Sequence, residues 1–413
     1  MRIFKLEWKR IMKTKMTWVL LLLALLLSIV SAYLPVTYCY SSYQEADGTE
    51  TVLKGVASIA YEKKRQAAAA GVVTPKKVQK AVEAYQACLE KYGVDQSYDL
   101  PEGVYEQEIL PYAPLLHGVK EAFADPDTGM APAIMEISPQ QLGNYYEVCE
   151  KRLAALMKME QPDSPAAQKS ALRMYQKVKK PFYVYPGASS TMMDYQNIMG
   201  FLVLLFCVVI AAPVFSADYQ SGADEILRCT KYGRKQLGTA KVAAALSISA
   251  AAFAICSAVY IVAANSLFGW ECTKTSVQMI YSIVTLAGVN LGQLQWIFAA
   301  AGLFSVMAAV SFTLLLSAKC KNTVTSLAVA LVFCMLPVVA CLTVPGVSAW
   351  ICSVLPASGV SIQASILYAM TDFQFLHIGG LAVWVPAAMA GMCILEVFLF
   401  PWLTVRSYCK HTG

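Results

Sequence analysis

The sequence predicts an all-α membrane protein: six transmembrane helices, with a mostly helical extracytoplasmic domain between the first and second. Three observations carry that prediction. The 413 residues are 57% hydrophobic and only 15% charged, with a net charge of +6. Soluble domains average about 25% charged and about 45–50% apolar residues. The charge is also clustered, filling the first 15 residues and the stretch from 40 to 195, while the remaining half is nearly uncharged apart from one loop. Finally, six apolar segments are long enough to cross the hydrocarbon core, which takes about 20 residues in a helix.

The segments are 16–37, then 197–216, 242–268, 296–317, 323–344 and 379–405. The first has a rival reading as a cleaved signal peptide, with Val30-Ser31-Ala32 as a passable cleavage site. Its apolar run is long for that, so a retained anchor is expected. Residues 1–15 carry Arg2, Lys5, Lys9, Arg10, Lys13 and Lys15, and space Ile3, Phe4, Trp8, Ile11 and Met12 at helical intervals. That pattern predicts an amphipathic helix lying on the inner leaflet.

Short basic segments set the orientation. Besides the N-terminus they are Arg228, Lys231, Arg234 and Lys235 after the second span, Lys319 and Lys321 after the fourth, and Arg406 and Lys410 at the end. Six spans place all four on one side, so both termini are expected in the cytoplasm of a multi-pass plasma-membrane protein. Residues 38–195 then lie outside; a long domain crosses largely regardless of its charge. Val277–Leu294 is a seventh apolar candidate, but Gly288, Asn290 and Gly292 interrupt it. It reads as an outer interfacial or partly re-entrant segment.

Within residues 38–195, Lys76–Tyr92 places Val78, Val82, Tyr85 and Leu89 on one helical stripe. Ser138 before Pro139 is expected to open a helix running to Lys158, and Ala166–Lys179 is a further amphipathic stretch. At roughly 155 residues the domain can hold its own core. Tyr33, Tyr38, Tyr40 and Tyr43, like Tyr183 and Tyr185, read as interfacial aromatics. Most of the 13 cysteines fall in apolar runs, where Cys is a small hydrophobe. Cys88 and Cys149 lie in the outer domain and are either a pair or free thiols. No CxxC motif, zinc spacing or nucleic-acid motif occurs, and a lone His117 offers no catalytic pattern.

The informative stretch is Phe215–Lys241, FSADYQSGADEILRCTKYGRKQLGTAK. Asp218 and Ser221 are candidate caps of a short helix with Asp224 and Glu225 early, Arg228 and Lys231 late, and Gly233 as its stop. That charge order complements the helix dipole. An ordinary basic loop would share these features. The pattern Phe-Ser-x-Asp-Tyr-x-x-Gly, a Leu-Arg-x-Thr step, Gly-Arg, and Ala-Lys opening the next span resembles the coupling loop of type-2 exporter-class ABC permeases. The resemblance implies a permease whose loop, residues 217–241, docks on a separate ABC ATPase. The matched positions are Asp218, Tyr219, Gly222, Leu227, Arg228, Thr230, Gly233, Arg234 and Lys241; Ala223 stands where the family often has Thr. The layout implies a re-entrant segment at about 352–372 within residues 196–413, and a second permease subunit, identical or related.

The energy must then come from the partner, which binds ATP and Mg; no cofactor or catalytic residue is expected in this chain. Gly233–Thr239 looks like a phosphate loop but has Thr where the phosphate-binding Lys is required. Mid-membrane charge, the mark of an ion-driven carrier, is confined to Glu396, which reads as an interfacial carboxylate snorkelling or paired with Arg406. Two alternatives remain from the sequence: an ATP-independent carrier or channel, and a membrane-anchored sensor or assembly protein working through its outer domain.

Overall fold

The computed structural model describes residues 2–44, 49–125 and 128–410. Six helices are long and apolar enough to span a membrane: Lys15–Thr37, Ser190–Ser221, Lys235–Phe268, Leu291–Lys319, Thr323–Thr343 and Val385–Lys410. Each satisfies its backbone internally, as hydrocarbon requires. Their order of burial places them in the bundle. Of its most apolar window, the second span has 67% buried, against 28% for the fifth and sixth. The second is therefore central, while the fifth and sixth leave faces free for lipid or another subunit. The fourth span packs most extensively on the sixth, the third on the first, and an N-terminal helix, Arg2–Met12, lies against the third. In that N-terminal helix Ile11 is buried, while Phe4, Leu6 and Trp8 are exposed, as an interfacial helix would present them.

Small residues set the closest approaches. A Cβ on Gly302 would lie 2.7 Å from the Phe253 ring and 2.9 Å from Val360, so only Gly lets the third and fourth spans and the 358–360 turn meet there. That turn belongs to a broken segment: a helix at Pro345–Val354, a 3-10 turn at Ser358–Val360 and a helix at Ile366–Thr371. Its exposed carbonyls are received by neighbouring spans. Ser305 donates to the Pro356 carbonyl at 2.7 Å, and the Asn197 amide to that of Ser361 at 3.1 Å.

The sequence placed some boundaries wrongly. The second helix begins at Ser190, where the Ser189 hydroxyl accepts the Thr191 N–H at 3.1 Å; the polar residues 190–197 are the helix's first turns. The sixth begins at Val385, because Phe375–Ile378 and Leu381–Trp384 form a hairpin turned by Gly379 and Gly380, both at positive φ. A second small hairpin pairs 40–44 with 50–54, and a short antiparallel bridge joins 71–72 to 183–184.

Residues between the first two spans build a second core, mostly helical. The helix Pro75–Tyr92 buries Val78, Val82, Tyr85 and Leu89, starts at a Thr74 cap and ends at left-handed Gly93. The helix expected from Ser138 begins instead at Tyr145, after a 3-10 stretch at 139–144. Ser138 turns its hydroxyl to Gln140 rather than capping the backbone. Pro165–Gln176 is helical, with Ser164 accepting the Ala167 N–H at 3.3 Å.

Val277–Leu294 neither spans nor forms a long helix. Ile283, Val284 and Leu286 are buried in this second core. The Glu121 carboxylate accepts the Ile283 N–H at 2.8 Å, Tyr175 donates to the Ile283 carbonyl at 3.0 Å, and the Gln278 amide holds the Thr285 and Ala287 carbonyls. The segment's hydrophobicity thus serves a protein seam between the second core and the bundle.

Cys88 and Cys149 are both buried in this core and both free thiols. Burial pushes the Cys149 thiol up to about 12, so at pH 8 it stays protonated and unreactive. Cys229, by contrast, is exposed on the loop after the second span. A water-soluble maleimide is expected to label Cys229 and leave Cys149 unmodified until the protein is unfolded. Mass spectrometry of tryptic peptides checks this, and modification of both at equal rates would contradict the packing.

Candidate functional site

The loop after the second span is built from two short pieces. Pro213 removes one helical N–H, and Pro213–Ser221 continues the second span beyond it. Ser317 of the fourth span bridges this joint: its hydroxyl accepts from the Phe215 and Ser216 N–H groups, each at 3.0 Å, and donates to the Ala212 carbonyl at 2.6 Å. Gly222, at φ +71°, turns the chain, and a seven-residue helix, Ala223–Cys229, follows.

Asp218 caps nothing. It lies in the last turns before Gly222 and meets three other charged side chains, making a set of four from three helices. Arg10 of the N-terminal helix donates to both its oxygens, at 3.0 and 3.1 Å, and Lys241 of the third span closes on the second oxygen. Glu7 completes the set, 3.2 Å from Arg10 and 3.7 Å from Lys241. Both cations also donate to the Val214 carbonyl. Lys241 is completely buried. An unpaired ammonium there would be very costly; two positive and two negative groups remove that cost and tie three helices together. Ser221, the other expected cap, turns its hydroxyl back to the Ala217 carbonyl at 2.9 Å.

A second anchor comes from the chain's far end. Tyr408 of the sixth span packs its ring at a tilt against Phe215, centroids 5.2 Å apart, and donates its hydroxyl to the Gly233 carbonyl at 3.1 Å. Arg228 lies over its ring and donates to its carbonyl at 2.7 Å, with Asp224 4.0 Å away. Gly233 does not stop the short helix, which ends at Cys229 with Thr230 following it. Instead Gly233 is where the backbone crosses itself: a Cβ there would lie 1.7 Å from the Leu227 carbonyl oxygen. Gly238 likewise gives Tyr408 room, its missing Cβ being 3.0 Å from the ring.

The nine sequence-predicted residues therefore divide by geometry. Asp218, Lys241, Tyr219, Leu227 and Arg228 face inward; Tyr219 donates to the Ala318 carbonyl at 3.3 Å and Leu227 packs on the bundle core. Gly222, Thr230 and Gly233 shape the backbone, with the Thr230 hydroxyl on the Leu227 carbonyl at 2.7 Å. Arg234 points outward. Glu7, Arg10, Ser317 and Tyr408 escaped sequence reasoning, since their partners lie about 100 to 230 residues away. The outward face also escaped it: Ile226 is 75% exposed and Tyr232 48%, flanked by Glu225 and Lys231. An apolar residue at the tip of a charged loop is the one signal that marked it.

Glu396 does not sit at an interface. It is the twelfth residue of the 26-residue sixth helix, buried, with one carboxylate oxygen lacking a hydrogen bond, while Arg406 lies over Trp402 instead. Among the described residues no group of three or more His, Cys, Asp or Glu could hold a metal ion.

Searches for similar curated proteins return no match. A family model described as "ABC-2 family transporter protein" matches residues 1–376. That match covers five of the six spans, the domain between the first two and the whole anchored loop. With the six apolar helices it makes this a multi-pass membrane protein, the transport subunit of an ABC transporter: the chain belongs to the ABC-2 transporter family.

Proposed function

We propose that the chain is the permease of an ATP-driven exporter in the plasma membrane, and that Gly222–Arg234 is the handle gripped by a separate ABC ATPase. Both termini and the handle lie in the cytoplasm and residues 38–195 outside; 345–372 is a re-entrant segment. A second permease, identical or related, completes the particle, and the cargo is a peptide, a lipid-like molecule or a drug-like molecule. ATP and Mg belong to the ATPase; this chain contributes no catalytic group and no cofactor.

The observation that carries this reading is the contrast at the handle. Arg228 and Gly233 fix its inner side to Tyr408 of the sixth span, and Asp218 just before it is held by Arg10 of the N-terminal helix and Lys241 of the third span, while its tip presents Ile226 to solvent. A lever needs both properties: stiffness toward the bundle, so that a push is transmitted, and an apolar anchor toward the partner. Exposed apolar anchors ringed by polar residues are what docking surfaces use. Mechanical coupling also accounts for inward-facing Asp218 and Lys241, which transmit motion rather than touch the ATPase.

Ile226→Asp and Arg234→Glu alter only the outer side. Each is expected to reduce co-purification of the ATPase and its permease-stimulated ATP hydrolysis at least tenfold, with the permease still monodisperse. Arg228→Glu also breaks the Tyr408 contact, so it is expected to lower stability as well as coupling. Retained ATPase capture by the Ile226→Asp, Arg234→Glu double variant would remove the docking reading and leave a transporter subunit coupled elsewhere.

A further inference from the structure

Starting the second span at Ser190 brings Asp194 into the helix, about 6 Å from its outer end at 1.5 Å per residue. Acidic groups in spans are costly and mark function. Asp194 is half-buried and receives a hydrogen bond from the Tyr368 hydroxyl at 3.1 Å, with no Lys, Arg or His beside it among the described residues. Asn197, three residues along the same helix, and Tyr281 each leave a polar atom removed from water without a partner, Asn197 Oδ1 and the Tyr281 hydroxyl; the Ser361 and Ser365 hydroxyls, on the segment that leads to Tyr368, are likewise unpaired. Asn197, wholly buried, also reaches the Tyr368 hydroxyl, and Tyr281 lies within electrostatic reach of both Asp194 and Tyr368. Buried polar atoms left unpaired are costly, so their gathering near the Asp194 carboxylate calls for a ligand.

The cluster's chemistry selects that ligand. One negative charge beside an amide oxygen and several hydroxyls offers acceptors, which suits a group that only donates. A primary ammonium has three donors, no acceptor and one positive charge. Tyrosine rings add attraction for a cation over their faces. An anionic ligand would meet Asp194 with like charge. A divalent metal would find no group of three or more His, Cys, Asp or Glu here among the described residues. Tyr368 also borders a small neighbouring cavity of 80 Å³, lined in part by Ser365 and Asp372.

We propose that Asp194, Asn197, Tyr281 and Tyr368 form a binding site for a primary ammonium group at the outer end of the bundle. That the amine belongs to cargo rests on the transport reading; the binding itself does not, and it is measured without any ATPase. The full chain in lipid nanodiscs is titrated with dansylcadaverine, reading fluorescence anisotropy against empty nanodiscs. Its N-acetylated form, which lacks the charge, is the control. The expected result is saturable binding of the amine alone, weakened at least tenfold by Asp194→Asn and at least threefold by Tyr281→Phe. The Tyr281 hydroxyl has no partner to lose, so this variant should fold even where Asp194→Asn does not. Equal affinity for the acetylated probe, or an unchanged affinity in Tyr281→Phe, overturns the site. Loss of ATPase capture in the Ile226→Asp variant leaves this binding untouched, so the two readings fail separately.

Discussion

Replacing Asp218 by Ala is expected to destabilise the protein by about 3–5 kcal/mol, the range for breaking a buried ion pair on one side. The reason is Lys241, which is completely buried. Without Asp218 it keeps Glu7 at 3.7 Å, the Val214 carbonyl and the face of Phe215, and Arg10 beside it adds repulsion. The N-terminal helix should also come loose, because Arg10 loses both of its contacts to Asp218. The measurement is the temperature at which half of the detergent-solubilised protein leaves the monodisperse peak. Asp218→Ala with Lys241→Met removes both charges together. It should recover most of the lost stability, since an apolar pair often replaces a buried ion pair at little cost. It should not recover coupling, because the link to the N-terminal helix stays broken. A single variant as stable as wild type would mean that water reaches Lys241, and the four-charge lock would have to be abandoned.

The second large effect is expected from Gly233→Ala, a change that adds one methyl group at a buried glycine in an otherwise exposed loop. Surface substitutions ordinarily cost less than about 0.5 kcal/mol. Here the new Cβ would lie 1.7 Å from the Leu227 carbonyl oxygen and 2.7 Å from its carbon, so the backbone itself must move. That displacement separates Gly233 from the Tyr408 hydroxyl and slackens the turn after Cys229. ATPase stimulation is expected to fall at least tenfold while the six spans stay folded. Gly222→Ala is the comparison. It has open space around the Cβ but a φ of +71°, which costs a non-glycine residue about 1–2 kcal/mol. It should therefore weaken coupling less than Gly233→Ala. If the two variants were equally mild, the handle would be flexible, and a flexible handle cannot transmit a push.

Much of the architecture was legible from local pattern. A run of about 20 apolar residues has few alternatives, since an unpaired backbone in hydrocarbon is too costly. The six spans followed, as did the helix from Pro75 to Tyr92, whose apolar stripe repeats at helical spacing. The loop's existence and its dipole-matched charge order were readable for the same reason. Boundaries were less readable. Polar residues 190–197 lowered the apparent hydrophobicity of the second span although they are helical, and that concealed Asp194. Residues 379–384 extended the sixth span on paper although Gly379 and Gly380 turn a hairpin whose second strand is Leu381–Trp384.

The sequence by itself determined which segments must leave water, because that depends on each segment's own composition and period. Only the tertiary structure decided what the charges do. Asp218, Lys241, Arg10 and Glu7 read as surface residues of separate basic segments until packing puts them on one another across more than 200 residues. The same holds for Val277–Leu294, equally suited to lipid or protein until Glu121, Tyr175 and Gln278 claim its backbone. Hydrophobicity is a property of a segment, whereas pairing is a property of two segments and their relative placement, and no periodicity in either one records the other.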